Sequence, residues 1–379
     1  MKPILMADLV GQYQHIKEEI KTAWDEILDE ASFINGPAVK LFSENLAKYL
    51  GAKHVIPCAN GTDALQIAIM ALKLPEGSEI ITPSFSYAAL AEMIIHLGHK
   101  PIFIEVDPNT FTIDVSKIDA LITSKTKVIA PVHLYGQCAD MESIMQIAKR
   151  YNLYVIEDTA QAIGATYTFK NRQQQKAGTI GDIGTTSFFP SKNLGCYGDG
   201  GAIYTNNDEF AAQLRMIANH GQSQKYVHKV IGLNSRLDSL QAAVLNIKLK
   251  HLDNYSNARN KVAAHYDSAF ANHPNIKTPA REAQSTHVFH QYTLTFCGIE
   301  RDALKIHLAE KNIPTMIYYP IPLHKQEAYQ QDIKMPLTEQ LTTNVLSLPI
   351  STEMDETQLL YISTAILDYC KKFTHTSPS

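Results

Sequence analysis

Short apolar runs alternate with helix-like stretches through the middle of the chain, from about residue 53 to residue 205. Because these runs are rich in Val and Ile and have no polar face, they predict strands buried on both sides. Seven such strands are predicted, at 53–58, 78–83, 100–106, 126–134, 153–158, 184–189 and 200–205. Helical patterns accompany them at 62–73, 86–97, 140–150, 207–219 and 236–251. This alternation predicts a mostly parallel sheet covered by helices, with ligands at the carboxyl ends of its strands.

The pattern changes at both ends of the chain. Near the start, an amphipathic helix is predicted over 15–30, followed by a turn at 32–37. Past residue 255 the pattern predicts helices at 257–270, 301–311 and 355–368 and strands at 290–296 and 314–319. The fold class expected is therefore α/β with two domains. The first, at 1–254, holds the N-terminal helix and the central sheet, and the second, at 255–379, is a smaller α+β domain.

Composition and charge narrow the classes of function. The 379 residues include 34 Lys and Arg against 38 Asp and Glu, a net charge of −4, and 45% are hydrophobic. This is ordinary globular composition, and it excludes a disordered chain and a general binder of nucleic acids or membrane surfaces. The five cysteines are scattered without CxxC spacing, and the histidines show no metal-type spacing, so we expect free thiols and no metal. Without a predicted signal peptide or membrane span, we expect a cytoplasmic protein.

The segment CANGTDALQ at 58–66 predicts a strand, a turn and a helix that starts near Thr62. Gly61 lets a ligand approach the backbone closely, and the free N–H groups and positive dipole of a helix N-terminus suit a phosphate. A plain strand-turn-helix with a threonine cap remains the alternative.

The segment LYVIEDTAQAIGA places Asp158 at the carboxyl end of a buried strand, with Gln161 three residues later. A carboxylate at that position can pair with a protonated ring nitrogen of a ligand. Gln161 can face the same pocket. The alternative for Asp158 is that it caps a helix.

The most informative segment is GTTSFFPSKNLGCYGDGGAIYTN at 184–206. It places Lys192 on a glycine-rich turn between two strands, in neither a Walker A loop nor a GxGxxG motif. A desolvated lysine with a lowered pKa is the residue type that forms Schiff bases, although a lysine that extends into solvent remains the alternative. A phosphate site, a carboxylate for a ring nitrogen and a Schiff-base lysine together are what pyridoxal phosphate (PLP) requires.

Five segments resemble, in order, motifs of the DegT/DnrJ/StrS family of PLP-dependent sugar-nucleotide aminotransferases, of PLP fold type I: NGTDALQ, TPSFSYAA, IEDTAQAIGA, SFFPSKNLGCYGDGGA and GLNSRLDSLQAA. The resemblance extends from about residue 8 to about residue 370. With HLYGQCAD and YYPIPLHKQ, the chain is most similar to the branch that aminates C3 of UDP-2-acetamido-2-deoxy-3-oxo-D-glucuronate. That branch serves the biosynthesis of bacterial surface polysaccharide, the O-antigen of lipopolysaccharide.

The resemblance also implies roles for individual residues. Lys192 forms the Schiff base and moves protons, and Asp158 keeps the ring nitrogen protonated. The other residues implied in cofactor binding are Gly61, Thr62, Tyr87, Gln161, Ser187 and, from the partner subunit of a homodimer, Asn234. Those implied near the sugar and its carboxylate are Arg236, Tyr318, Tyr319, His324 and Lys325. The chain departs from the branch at Tyr318, where His is expected, and the implied amino donor is L-glutamate.

Three alternatives remain at this point. In the first, the amino group acceptor is another 3-oxo or 4-oxo deoxy sugar carried by dTDP, UDP or GDP. In the second, the protein is a nicotinamide-dependent oxidoreductase, although the missing GxGxxG motif argues against this. In the third, the protein is a non-enzymatic regulator with the PLP fold, in which we would expect Lys192 to be lost. We expect no nucleic-acid or membrane partner in any of these cases.

Overall fold

The computed structural model describes residues 2–371. Its helices are α1 (Leu9–Asp29), α2 (Pro37–Leu50), α3 (Gly61–Ala71), α4 (Ala89–His96), α5 (Met141–Tyr151), α6 (Asp208–Ala218), α7 (Ser239–Leu249), α8 (Leu252–Phe270), α9 (Arg301–Glu310), α10 (Pro336–Asn344) and α11 (Glu356–Cys370). Its strands are β1 (His54–Cys58), β2 (Glu79–Pro83), β3 (Lys100–Ile104), β4 (Thr126–Ile129), β5 (Tyr154–Asp158), β6 (Thr166–Thr168), β7 (Gln174–Lys176), β8 (Ile183–Ser187), β9 (Gly201–Thr205), β10 (Gln222–Gln224), β11 (Val227–His228), β12 (Ile276–Lys277), β13 (Tyr292–Phe296) and β14 (Val345–Leu348).

Seven strands form the central sheet in the order β1-β9-β8-β5-β4-β2-β3. The pairs β8-β5, β5-β4, β4-β2 and β2-β3 are parallel, whereas β9 runs antiparallel to both of its neighbours. The predicted mostly parallel sheet is thus confirmed, and all seven predicted strands are present. The carboxyl ends of β1, β2, β4, β5 and β8 consequently meet at one edge of the sheet.

Both faces of the central sheet are covered, as its apolar strands predict. Neighbouring residues of a strand enter different cores: Ile80 packs with α3 and α4, and Ile81 packs with α5 on the other face. Helices α2 and α7 cover the same face as α5, where Phe42 and Leu245 pack against strand residues such as Tyr204. Because successive side chains of a strand point to opposite faces, a strand buried on both sides needs this continuous apolar sequence.

A second, antiparallel sheet of β12, β13 and β14 lies near the C-terminus of the described residues. Its core joins strand residues such as Leu294 to α8, α9 and α11, and it also takes in Ile4 from the beginning of the chain. The predicted α+β character of this region is therefore observed. The domain boundary between 254 and 255 falls in the first turn of α8 and stays a prediction, and residues 372–379 lie outside the described part.

Several elements differ from the predicted ones. The first helix begins at Leu9, where the Asp8 side chain accepts a hydrogen bond from the Gly11 N–H at 2.7 Å. Helices α2 and α10 and strand β14 were not predicted. The strand predicted at 314–319 is wrong, since its only pairing among the described residues is an isolated bridge from Met316 to Ser347. None of the helices within 2–371 has the length and apolarity that a membrane crossing requires.

Candidate active site

A cavity of about 560 Å³ opens at the carboxyl edge of the central sheet. It collects residues from segments far apart in the sequence, as the parallel topology requires. The predicted site residues that line it are Gly61, Thr62, Tyr87, Asp158, Gln161, Ser187, Lys192, Tyr318 and Tyr319. The structure therefore brings together most of the residues that the sequence singled out. Within residues 2–371, no group of His, Cys, Asp and Glu could hold a metal ion.

Asp158 is the last residue of β5 and is fixed by its own backbone. Its N–H donates to the Pro131 carbonyl oxygen, and its carbonyl oxygen accepts from the His133 N–H, both at 3.0 Å. One carboxylate oxygen, Oδ1, accepts from the Ala160 N–H at 2.9 Å, and among the described residues Oδ2 has no partner. Burial raises the pKa of the Asp158 carboxyl, and the hydrogen bond from the Ala160 N–H and the charge of Lys192 act in the opposite direction.

Beneath Asp158, a buried carboxylate ties β5 to the neighbouring loop. The Glu157 side chain is fully buried and accepts three backbone N–H groups of the 178–181 loop at 2.6–2.9 Å. It also meets His133 Nε2 at 2.9 Å. Since His133 Nδ1 accepts from the Ala139 N–H at 3.1 Å, the imidazole carries its proton on Nε2 and donates it to Glu157. This network holds the end of β5 in place.

Lys192 lies on a loop, residues 188–200, that joins β8 to β9 and is called the Lys192 loop below. The Lys192 N–H donates to the Phe189 carbonyl oxygen at 2.8 Å, and the Cys196 N–H donates to the Phe188 carbonyl oxygen at 2.8 Å. A Cβ atom at Gly195 would lie 2.3 Å from the Pro190 carbonyl oxygen, so this close turn requires glycine.

The Lys192 side chain points from this loop into the cavity wall. Burial lowers the pKa of its amine to about 8, and the nearby Asp158 carboxylate partly opposes that shift. An amine with this pKa is neutral in about one molecule in ten at pH 7, roughly 200-fold more often than an ordinary lysine. The prediction of a desolvated lysine in this turn agrees with its surroundings.

The N-terminus of α3 meets the end of β8 at the opposite end of the cavity. A Cβ atom at Gly61 would lie 2.6 Å from Cβ of Ser187, so glycine is needed here for the helix to reach the strand. Asn60 caps the helix by accepting the Asp63 N–H at 2.8 Å. The N–H groups of Gly61 and Thr62 have no partner among the described residues, and Ser187 Oγ faces the same space. These donors form a pocket suited to an anion.

An aromatic wall closes one side of the cavity. The Tyr135 N–H donates to Gln161 Oε1 at 2.8 Å, which turns the Gln161 amide nitrogen toward the Tyr319 hydroxyl at 3.1 Å. The Tyr319 and Tyr87 rings lie 6.2 Å apart between centroids, and Tyr87 is 63% exposed. The Tyr135 hydroxyl donates to the Tyr318 carbonyl oxygen, and this hydrogen bond anchors the Tyr318–Tyr319 segment.

Two predicted substrate residues lie away from the cavity. His324 is fully buried, its Nδ1 lies 2.7 Å from Ser84 Oγ, and its Nε2 lies 3.3 Å from Glu339 Oε1. Lys325 forms an ion pair with the same carboxylate at 2.6 Å. Both side chains are engaged in contacts within the fold and neither lines the cavity of a single chain, so the placement of His324 and Lys325 near the sugar stays a prediction.

Asn234 and Arg236 also lie outside the cavity wall of a single chain. Asn234 is exposed and Arg236 is half-buried. The residue between them is anchored, since Ser235 Oγ accepts from the Ala59 N–H at 3.1 Å and the Ser235 N–H donates to the Ala218 carbonyl oxygen at 3.0 Å. The resemblance places Asn234 in a partner subunit's site and Arg236 near the sugar, and both roles stay predictions.

Among the cavity residues that sequence reasoning missed are His290 and Gln291. They precede β13 in a segment whose histidines gave no metal-type spacing and were set aside. The signal was the segment HVFHQ itself, in which polar side chains interrupt an apolar run next to a predicted strand. Burial lowers the pKa of His290 well below its usual range, and the positive charges of Lys192 and Arg259 add to this.

The family of the chain follows from a match that covers residues 14–367, to the DegT/DnrJ/EryC1/StrS aminotransferase family. The chain belongs to this family. Membership confirms the resemblance drawn from the sequence, the fold class and the enzyme class of an aminotransferase. The alternative of a nicotinamide-dependent oxidoreductase is dropped.

Three relatives in the family are similar over nearly their whole length. The pleiotropic regulatory protein of Geobacillus stearothermophilus is 45% identical, over 97% of this chain and 99% of its own. The UDP-2-acetamido-2-deoxy-3-oxo-D-glucuronate aminotransferase of Pseudomonas aeruginosa is 44% identical, over 95% and 98%. The UDP-N-acetyl-3-dehydro-alpha-D-glucosamine 3-aminotransferase of Acidithiobacillus ferrooxidans is 42% identical, over 96% and 97%.

Solved structures of the family share the fold. A DegT/DnrJ/EryC1/StrS aminotransferase from Brucella abortus superposes with a TM-score of 0.92 at 37% identity, covering 97% of this chain and 99% of that one. NtdA from Bacillus subtilis, solved with the cofactor PMP bound, superposes with a TM-score of 0.86 at 33% identity, covering 93% and 82%.

Proposed function

We propose that this protein is a PLP-dependent sugar-nucleotide aminotransferase that transfers an amino group to C3 of a UDP-linked 3-oxo-2-acetamido hexuronic acid. The observation that carries the proposal is one cavity in which Lys192, with a pKa of about 8, lies near the Asp158 carboxylate. The acceptor is supported by two relatives, at 44% and 42% identity, whose names specify amination of UDP-linked 3-oxo sugars.

The residues present fit PLP. The N–H groups of Gly61 and Thr62, which have no partner within the described part of the chain, form with Ser187 Oγ a cradle that the Cβ of any other residue at 61 would fill. Asp158 Oδ2, unpartnered among residues 2–371, is available for the ring nitrogen. The Lys192 amine is available for the aldehyde, and a bound PMP in a relative at 33% identity supports the same cofactor.

When bound, PLP supplies an aldehyde that takes up the amino group and a ring that withdraws electrons from the reacting carbon. The chain's own residues supply the rest. Asp158 holds a proton on the ring nitrogen, and its burial keeps water from competing for that contact. The Lys192 amine removes the proton from Cα of the amino donor, for which we propose L-glutamate, and returns a proton on the acceptor side.

Gln161 and Tyr87 orient the cofactor. The Tyr135 N–H fixes the Gln161 amide so that its nitrogen faces the cavity side, where it is placed to donate to the ring's phenolic oxygen. The exposed Tyr87 ring, tilted 44° to that of Tyr319, is placed to stack on the cofactor ring. Tyr318 and Tyr319 then line the space left for the sugar.

We propose that the enzyme acts as a homodimer. A UDP-linked uronic acid carries a diphosphate and a carboxylate, whereas the cavity wall formed by one chain within 2–371 contains no Lys or Arg other than Lys192. A second copy that supplies charge-assisted contacts to these groups accounts for this difference. Arg236 is proposed to reach the sugar carboxylate, and Asn234 to reach the cofactor phosphate, each from the partner subunit.

The cellular setting completes the proposal. A UDP sugar and an amino acid donor are soluble metabolites, so we propose a cytoplasmic enzyme that makes a precursor of bacterial surface polysaccharide such as O-antigen. The 45% identity to a protein named as a pleiotropic regulator favours one other function, a regulatory one. The intact Lys192, Asp158 and anion pocket favour catalysis instead.

The deciding experiment incubates the purified PLP-loaded protein with L-glutamate and a matched set of 3-oxo and 4-oxo sugar nucleotides. UDP-linked 3-oxo-2-acetamido sugars with and without a C6 carboxylate form the central pair. Amine formation on the uronic acid, with equimolar 2-oxoglutarate, is expected. Faster turnover of the neutral or a 4-oxo sugar would replace the proposed acceptor, and no turnover of any of them would favour the regulator.

A further inference from the structure

Residues 287–291, here called the strap, connect the C-terminal core to the cavity. The Val288 N–H donates to the Gly136 carbonyl oxygen at 2.8 Å, and the Gln291 N–H donates to the Tyr135 carbonyl oxygen at 3.3 Å. The contact is close, since a Cβ atom at Gly136 would lie 2.8 Å from the Phe289 backbone nitrogen. The strap therefore lies directly against the turn that orients Gln161.

The strap contains a strained backbone. Phe289 adopts a φ of 46°, in the left-handed region that non-glycine residues rarely occupy. Such a conformation persists only where the surroundings hold it, and it is concentrated at functional sites. The Phe289 ring stacks on His287 with 3.7 Å between ring centroids, and the Arg281 guanidinium lies 4.4 Å from the Phe289 ring centroid.

Buried side chains hold the strap through its carbonyl oxygens. Arg259 of α8 donates from one nitrogen, Nη1, to the carbonyl oxygens of Phe289, His290 and Ile350 at 3.1–3.4 Å. Asn260, the next residue of α8, donates to the His287 carbonyl oxygen at 2.9 Å. Both anchors belong to the C-terminal core.

The remaining anchor is Asn193, the residue after Lys192. Its side chain is 4% exposed, and its Nδ2 donates to the Val288 carbonyl oxygen at 2.9 Å. Its Oδ1 is buried without a partner among the described residues, so Val288 supplies the only hydrogen bond of this amide. Leaving a buried amide so poorly paired is unfavourable, and this points to a role beyond stability.

We propose that Asn193 is a positioning residue for Lys192: its amide fastens the Lys192 loop to the strap and keeps the Lys192 amine in the wall of the cavity. The strap also places the His290 imidazole on the same wall. This inference rests on the proposed role of Lys192 and is independent of which sugar is aminated.

The test titrates Lys192 in the cofactor-free protein. An amine-reactive reagent is applied in short pulses across a pH series, and mass spectrometry of the Lys192 peptide gives the midpoint of its reactivity. The wild type should show a midpoint near pH 8, the pKa that burial gives this amine. In Asn193→Ala, water reaches the freed loop, and the midpoint should rise by at least about one pH unit.

Asn260→Ala is the matched control, because it removes the same kind of hydrogen bond from the strap without touching the Lys192 loop. Its midpoint should stay within about 0.3 units of wild type. If Asn193→Ala does not fold, Asn193→Leu keeps the side-chain volume, removes the donor to the Val288 carbonyl oxygen and should raise the midpoint in the same direction. No rise in a folded variant, or an equal rise in Asn260→Ala, would overturn the proposal.

A separate measurement tests the proposed function independently of the positioning role. Borohydride reduction of the wild-type protein with PLP should fix the cofactor on Lys192, and failure there contradicts the function without affecting the titration. An ordinary Lys192 midpoint near the usual pKa of about 10.4 in the wild type would instead contradict the positioning role.

Discussion

At the scale of single residues, Asp158 and Lys192 each change the pKa of the other. Burial raises the pKa of the carboxyl and lowers that of the amine, and the charge of each partner counteracts the shift of the other. Each protonation state therefore depends on the other. A change at one residue should be measurable at the second without any assay of turnover.

Asp158→Asn tests this dependence. Removing the carboxylate charge takes away the effect of Asp158 that raises the Lys192 pKa, so the reactivity midpoint of Lys192 should fall below pH 8 in the cofactor-free protein. Loss of the ring-nitrogen contact should also lower kcat by about 10²-fold or more. Asp182→Asn alters another carboxyl whose pKa burial raises, and it should leave the midpoint unchanged.

Gly61→Ala tests the anion pocket. The new Cβ would come within 2.6 Å of Cβ of Ser187, so the start of α3 must move away from the end of β8. We expect at least about a tenfold weaker equilibrium affinity for PLP, and about 1–3 kcal/mol lower unfolding free energy, from overpacking. Gly98→Ala, at a φ of 76° with open space around it, should lose stability and retain PLP affinity. Equal PLP affinity in both variants would contradict the pocket.

At the scale of elements, the site is positioned by which residues of each strand are buried on each face of the sheet. The two residues before Asp158 are held within the fold, because Ile156 packs in the apolar core and Glu157 accepts hydrogen bonds from the 178–181 loop. Asp158 is therefore the residue of β5 that reaches the cavity. A shift of β5 by one residue would exchange the two faces and bury the wrong carboxylate. The Glu157–His133 network therefore protects the register on which the site depends.

Glu157→Gln is expected to lower the free energy of unfolding by about 1–3 kcal/mol, because the amide nitrogen would face backbone N–H donors. Urea denaturation measures this directly. Glu209→Gln, on the exposed first turn of α6, should change the unfolding free energy by no more than about 0.5 kcal/mol. Similar values for both variants would show that the network adds nothing to the fold.

Elements were predictable where one pattern dominated the sequence. The central strands followed from apolar runs, but α2 was missed although Pro37 begins it and Gly51 ends it in a left-handed conformation, both ordinary helix boundaries. The run at 314–319 has strand-like residues, yet Tyr318 and Tyr319 face the cavity instead of a neighbouring strand. Periodicity cannot separate these two uses of an apolar run.

At the scale of the whole molecule, the site is assembled from distant parts of the chain. Lys192 and Asp158 could be predicted because each lies in a local strand-and-turn pattern. The segment HVFHQ gave a local signal for His290 and Gln291, but their place in the cavity could not be predicted from it, because the strap, held by Arg259 and Asn193, brings them there. The burial of His324 was likewise not predictable, because it depends on contacts with Ser84 and Glu339 that no local pattern reveals.

The proposed homodimer makes a prediction about shared sites. Lys192→Ala and Arg236→Ala should each be inactive alone, because each spoils both sites of a dimer. Mixed and refolded together, they should recover up to about a quarter of wild-type activity, since half of the dimers contain one intact site. No recovery, with mixed dimers demonstrated by differential tagging, would place Arg236 in its own chain's site or outside any site.

The central claim is that the Lys192 amine holds the cofactor covalently, and peptide mapping after borohydride reduction tests it most directly. Lys248 is the internal comparison. Burial also lowers the pKa of its amine to about 8, but Lys248 lies outside the cavity wall. The account predicts a reduced pyridoxyl adduct on the Lys192 peptide and none on the Lys248 peptide. An adduct on Lys248 or another lysine, or a fully PLP-exposed protein with no adduct, would contradict it.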